Sequence, residues 1–140
     1  MSKSDYMELK VLDLVGGVTF TAPATVHIAL YTTAVPSDAS TGTTPAGGAV
    51  EVTGGSYARV AVTNNATNFP AASAGSKANG TVITFPVPTA AWGVVVGFAI
   101  VDAATGGNIL YKGAISPNKT INNADPAPSF ASGALTITED

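Results

Sequence analysis

His27 is the only histidine in the 140 residues, so a Ser-His-Asp arrangement has to be built around it. It lies within the alternating segment Thr25–Thr33, on the face opposite Val26 and Ile28. Serines and aspartates are present, but no nucleophile-elbow sequence accompanies them. A histidine-based metal site lacks a second ligand of its own type. The run Asp102-Ala-Ala-Thr-Gly-Gly-Asn108 offers oxygen ligands and glycines. It has neither the alternating carboxylates nor the bidentate glutamate of an EF-hand calcium loop. A hairpin turn capped by Asp102 accounts for the same residues. Carboxylates are few and dispersed, which nominates no glycosidase pair. Neither a phosphate-cradling loop sequence nor a dinucleotide-binding glycine motif occurs. Trp92, the one tryptophan, reads either as a stacking platform for a sugar or partner, or as an aromatic plug at one end of the fold. These residues nominate no catalytic site, no cofactor and no metal centre.

The elements that would position any site are mostly strands. Thr81–Phe85 alternates and stops at Pro86. Trp92–Val101 is apolar on both sides, the pattern of a central strand covered on both faces. Asp102–Asn108 supplies a Gly-Gly turn, and Ile109–Ala114 returns as an antiparallel neighbour. Upstream, Thr25–Thr33 sets Val26, Ile28 and Leu30 on one face and His27, Ala29 and Tyr31 on the other. The Pro/Gly/Thr-rich connection Val35–Gly55 has the length of a contact loop or flexible arm. Tyr57–Thr63, Lys77–Phe85, a short segment at Lys119–Asn122 and Gly133–Thr138 add further strands. Between them lie a loop near Asn64–Ser76 and a Pro-limited turn at Asp125–Pro128. Seven or eight strands with turn signals between them predict an all-β fold, an antiparallel β-sandwich or barrel-like domain.

One short N-terminal helix is expected over residues 4–15. Ser4 or Asp5 caps it, Asp5 and Glu8 suit its positive end, and Gly16-Gly17 ends it. Met7, Val11, Leu14 and Val15 share one face. A helix of this length is marginal alone, so it must dock on its own sheet or on a neighbouring subunit. The chain thus divides into an N-terminal helical segment, 1–17, and a β-domain, 18–140.

Composition narrows the function classes. Only 11% of residues are charged, against about 25% in an ordinary domain. A surface so poor in lysine and glutamate suits a protein packed against neighbours. The six basic residues are scattered singly, which disfavours direct nucleic-acid binding. Cysteine is absent, so disulfides and thiolate metal sites are unavailable. The N-terminus lacks the apolar core of a signal peptide. The longest apolar run, Val94–Val101, is interrupted by Gly97 and too short to span a bilayer. Asn-x-Ser/Thr matches at Asn65, Asn79 and Asn118 carry little meaning without a secretory route.

Several motifs in order carry a family resemblance: SDYMELKVLDLV, PATVHIALYT, GGSYARVAVT, ITFPVPTAAWG, GFAIVDAATGGNILYKGAI and SFASGALTIT. Together, from about Ser4 to Thr138, they resemble a family of small tailed-bacteriophage virion proteins. Its members are often labelled tail-fibre proteins, and similar small β-domains serve as capsid cement or decoration proteins. The resemblance implies a non-enzymatic virion protein made in the host bacterial cytoplasm. Its leading form is a capsid cement protein, a homo-oligomer (a trimer by analogy) seated on the major capsid protein. The alternative is a tail-fibre or baseplate component, or a receptor-binding adhesin. A hydrolase acting on host polysaccharide is a third class. Contacts with partners are expected at Tyr6, Met7, Leu9 and Val11 of the helix, at Val35 and Pro36 of the long connection, and at Trp92.

Overall fold

The computed structural model describes residues 2–139. In chain order its elements are β1 (Ser2–Lys3), α1 (Asp5–Asp13) running into a 3₁₀ turn at Leu14–Gly16, β2 (Thr25–Thr32), β3 (Val50–Glu51) and β4 (Val60–Thr63). Then follow β5 (Ser76–Ala78), β6 (Ile83–Thr84), β7 (Gly93–Val101), β8 (Ile109–Ile121), β9 (Ser129–Phe130) and β10 (Thr136–Thr138). The main sheet is antiparallel with the order β1-β8-β7-β2-β3. β4 also pairs with β2, so β3 and β4 take successive stretches of that strand. Two short antiparallel pairs, β5 with β10 and β6 with β9, stand apart from the main sheet. The all-β expectation holds, with an antiparallel arrangement compatible with a β-sandwich and one short N-terminal helix.

The alternation of β2 accounts for the layering. Val26, Ile28 and Leu30 point into the main core with Phe98 and Ile100 of β7 and Leu110 and Ile121 of β8. Ile83, Phe85, Leu135 and Ile137 join that core from the two small strand pairs and their flanks. Each fully buried side chain of this size contributes about 1.5–3 kcal/mol. The opposite face buries Ala29 and Tyr31 of β2, Ala99 and Val101 of β7, Ile109 of β8, and Ala49 from the long connection. Alanines at 29 and 99 keep that face low, which lets covering backbone lie close. Burial on both sides is what the doubly apolar pattern of β7 anticipates.

The strands expected over Tyr57–Thr63 and Gly133–Thr138 are shortened to Val60–Thr63 and Thr136–Thr138, and four further elements differ more from expectation. The strand expected over Lys77–Phe85 is broken into β5 and β6. Asn79 sits at the break, 2% exposed, and its side-chain amide donates to the Thr81 and Ala131 carbonyls. Its oxygen accepts from the Leu135 amide, so side-chain bonding replaces ladder pairing there. Gly80 is held so close to the Thr67 carbonyl that a Cβ would collide with it. Conversely, Ile109–Ala114 and Lys119–Asn122 are joined in the single 13-residue strand β8. Between the pairs Gly97–Ala114 and Val95–Lys119, four β8 residues face one β7 residue, making a wide bulge. The long connection contains β3 and is ordered by its own bonds, including Ser37 to Ala46 and Gly42 to Gly107.

The helix is the fourth. Ser4 caps it, its hydroxyl accepting from the Met7 amide at 3.3 Å and donating to the Ile109 carbonyl. Regular α-helix ends at Asp13, and Gly17 closes the 3₁₀ turn in the left-handed conformation, φ 78°. β1 pairs with β8 at Tyr111 and Lys112, so the N-terminal segment is woven into the main sheet.

Candidate partner-binding surfaces

The most polar constellation in the interior is built from β3, β4 and the residues before β4. Arg59 is the hub, its side chain 4% exposed. Its Nε donates to Glu51 Oε1 and Nη2 to Glu51 Oε2, each at 2.7 Å. Nη1 donates to the carbonyls of Ala103 and Gly106, and Nη2 also donates to that of Gly42. The Tyr57 hydroxyl donates to Glu51 Oε1 and accepts from the Leu30 amide. Burial, then the Glu51 charge, pushes the Tyr57 phenol far up and keeps it neutral. All five guanidinium N–H bonds have protein acceptors, so the group is a clamp between loops. Sequence reading missed Glu51, Tyr57 and Arg59. The one signal was the chain's single arginine, set within the expected strand Tyr57–Thr63 in a chain with six cations.

His27 sits between Ala61 of β4 and Val101 of β7 in the sheet. Burial lowers its pKa, Arg59 lowers it further, and Asp102 opposes both. Its Nδ1 is buried without a hydrogen-bond partner among the described residues. Both carboxylate oxygens of Asp102 accept from Asn108, one from the backbone amide at 2.7 Å and one from the side chain at 2.8 Å. Asp102 therefore organises its own hairpin turn and makes no hydrogen bond to the imidazole.

Trp92 is enclosed, 6% exposed, with Nε1–H donating to the Gly55 carbonyl at 2.9 Å. Tyr57 meets it edge-on at 5.3 Å and Phe85 at 6.5 Å. An indole held this way presents no stacking face to a sugar; it plugs the core. Pro36 is fully buried. Val35 is half-buried against Gly97, where any added Cβ would come within 3.2 Å of the Val35 backbone. Tyr6 and Met7 pack against the main core.

The remaining candidates, Leu9 and Val11, are exposed, and they do not stand alone. Leu12, Leu14, Val15 and Val18 are exposed with them. The helix has apolar residues around most of its circumference: Tyr6 and Met7 satisfy its own domain, and the others cover a second face. The helix therefore leaves an apolar face exposed, and Leu12 and Val18 extend it beyond the expected Leu9 and Val11.

A groove of about 790 Å³ opens elsewhere, between the bulged end of β8 and the segment Asp125–Phe130. Leu30, Phe85, Val95, Phe98 and Phe130 make an apolar lining, with Lys119 and Asp125 among its charged members.

Comparison with curated proteins gives no significant match. The family model described as podophage GP4 fiber I protein gp80 matches residues 2–138. With nearly the whole chain covered by that match, the protein belongs to the podophage GP4 fiber I (gp80) family of phage virion structural proteins.

Proposed function

We propose that this chain is a non-enzymatic structural subunit of the phage tail fibre, joined to neighbouring virion proteins through the outer face of its N-terminal helix. The observation that supports this reading is the run of exposed apolar side chains from Leu9 to Val18, with Val15 91% exposed. Contiguous apolar surface of that extent marks an interaction site. Arg59 and Asp102, the charged groups nearest His27, are engaged by partners within the fold. The family description favours a fibre over the shell.

Capsid cement is the second reading, with the major capsid protein as partner and a trimer as the assembling unit. A chain with no elongated repeat or coiled-coil heptads supports it. Several weak contacts made at once would hold such a unit on the shell. Separating DNA-filled heads from tails and counting this chain against the major capsid protein tests both. Few copies, all with the tails, are expected. Hundreds of copies on heads would replace the fibre reading with the cement reading.

A further inference from the structure

We propose that the groove between the β8 bulge and Asp125–Phe130 receives residues 9–18 of a second copy of this chain. The proposal rests on the reading of the protein as an assembly subunit and names one of its contacts. Leu9, Val11, Leu12, Leu14, Val15 and Val18 are all between 39% and 91% exposed. They present on the order of 600 Å² of surface, most of the roughly 800 Å² that one partner contributes to a standard interface. Leu30, Phe85, Val95 and Phe98 of the main core, each at most 5% exposed, form the floor of the groove, and the partly buried Ile115 and Phe130 stand at its rim. An amphipathic helix laid into an apolar cleft is a recurrent mode of association.

Charge supports a second copy as the occupant. Segment 9–18 carries one cation and one anion, Lys10 and Asp13, and the groove also carries one of each, Lys119 and Asp125. Lys119 is the one cationic side chain without a hydrogen-bond, ionic or aromatic partner among the described residues. The others engage Glu139, Tyr6, Glu51, the Phe69 and Pro70 carbonyls, and Asp38. Asp13 likewise has no ion-pair partner among the described residues. Beyond Lys112, no described strand pairs with the outer edge of β8, which leaves that side open to an incoming chain. The two surfaces differ, so each contact needs one chain's helix and the other chain's groove.

That asymmetry gives the test, made on the full chain by sedimentation equilibrium and light scattering. Wild-type protein should associate with rising concentration. Val15→Asp on the helix and Ala114→Arg in the groove should each lower the association constant at least tenfold, with circular dichroism unchanged. Mixing the two should yield a one-to-one heterodimer and nothing larger, because one intact helix and one intact groove remain. Should Ala114→Arg not fold, Asp13→Lys and Lys119→Asp take its place: each alone weakens association and the pair restores it.

Helix-on-helix pairing would be lost with Val15→Asp, untouched by Ala114→Arg and not complemented on mixing, and that pattern overturns the proposal. So does a wild-type chain that stays monomeric at millimolar concentration. Phage assembled with the groove variant separates the two readings. Normal incorporation into tails, with only the helix variant excluded, assigns the helix to a different virion protein and leaves the fibre reading intact. Association as proposed by a chain found only on heads fails the fibre reading alone.

Discussion

Arg59 and Glu51 meet through two parallel hydrogen bonds of 2.7 Å, and the same guanidinium reaches three backbone carbonyls in two other loops. One side chain thus ties β3, the long connection at Gly42 and the β7–β8 turn at Ala103 and Gly106 into one unit. This explains how a Pro/Gly/Thr-rich connection stays ordered over the Ala29–Tyr31 face without regular structure.

Removing the clamp should therefore be costly. Arg59→Ala strands a partly buried carboxylate and three carbonyls, and is expected to cost about 3 kcal/mol or more. Arg59→Lys should recover little, since an ammonium cannot serve a bidentate carboxylate and three carbonyls together. Urea unfolding of the three proteins checks this; a loss below about 1 kcal/mol for Arg59→Ala would sink the clamp.

Two glycines should respond in opposite ways to alanine. At Gly42 a Cβ would collide with the Gly106 carbonyl, where both backbones are held by Arg59 and by the Gly42–Gly107 bond. Gly42→Ala is expected to lose about 1–3 kcal/mol. Nothing lies within 4 Å of a Cβ at Gly16. Gly16→Ala should be neutral or stabilising by up to about 1 kcal/mol, because alanine favours the helical turn. Thermal unfolding midpoints that moved together in both variants would contradict the packing at Gly42.

Trp92 should behave as a core residue. Its emission is expected to be blue-shifted and poorly quenched by acrylamide, turning red and accessible on unfolding. Trp92→Ala should cost about 3–5 kcal/mol, while Trp92→Phe loses chiefly the bond to Gly55 and part of the contact with Tyr57. Glycan binding that survived in the wild type and vanished in a still-stable Trp92→Ala would overturn this placement.

Stability should fall at both ends of the pH range. His27 has its pKa lowered below 6.5, chiefly by burial. Between its folded and unfolded values the unfolded chain binds more protons, so this contribution is present above pH 6.5 and lost as pH falls. Tyr31 and Tyr111 are both pushed up to about 12, first by burial and then by Glu51 and Glu139 respectively. Their contribution is present below pH 10, the unfolded value, and is lost as pH rises through about 12. Urea midpoints measured from pH 4 to 12 should trace a plateau with two falling limbs. His27→Gln should flatten the acid limb and leave the alkaline one.

Local pattern alone determined much of this protein. Alternation in Thr25–Thr32 set the faces of β2, double-sided apolarity marked β7 as central, and Ser4, Gly17 and the Asp102–Asn108 turn announced themselves by residue type. These are properties of neighbours in the chain, legible because backbone geometry imposes periods of 2 and 3.6. Tertiary structure decided the rest. It split Lys77–Phe85 around the buried Asn79 amide, fused two segments into β8 with a four-residue bulge, and enclosed Trp92 and Pro36. It joined Arg59 to carbonyls 17 to 47 residues away. It also chose which apolar side chains of the helix to bury: Tyr6 and Met7 meet the core, and Leu9, Leu12 and Val15 do not. Hydropathy cannot make that choice, because burial depends on which elements stand opposite, and those come from distant parts of the chain.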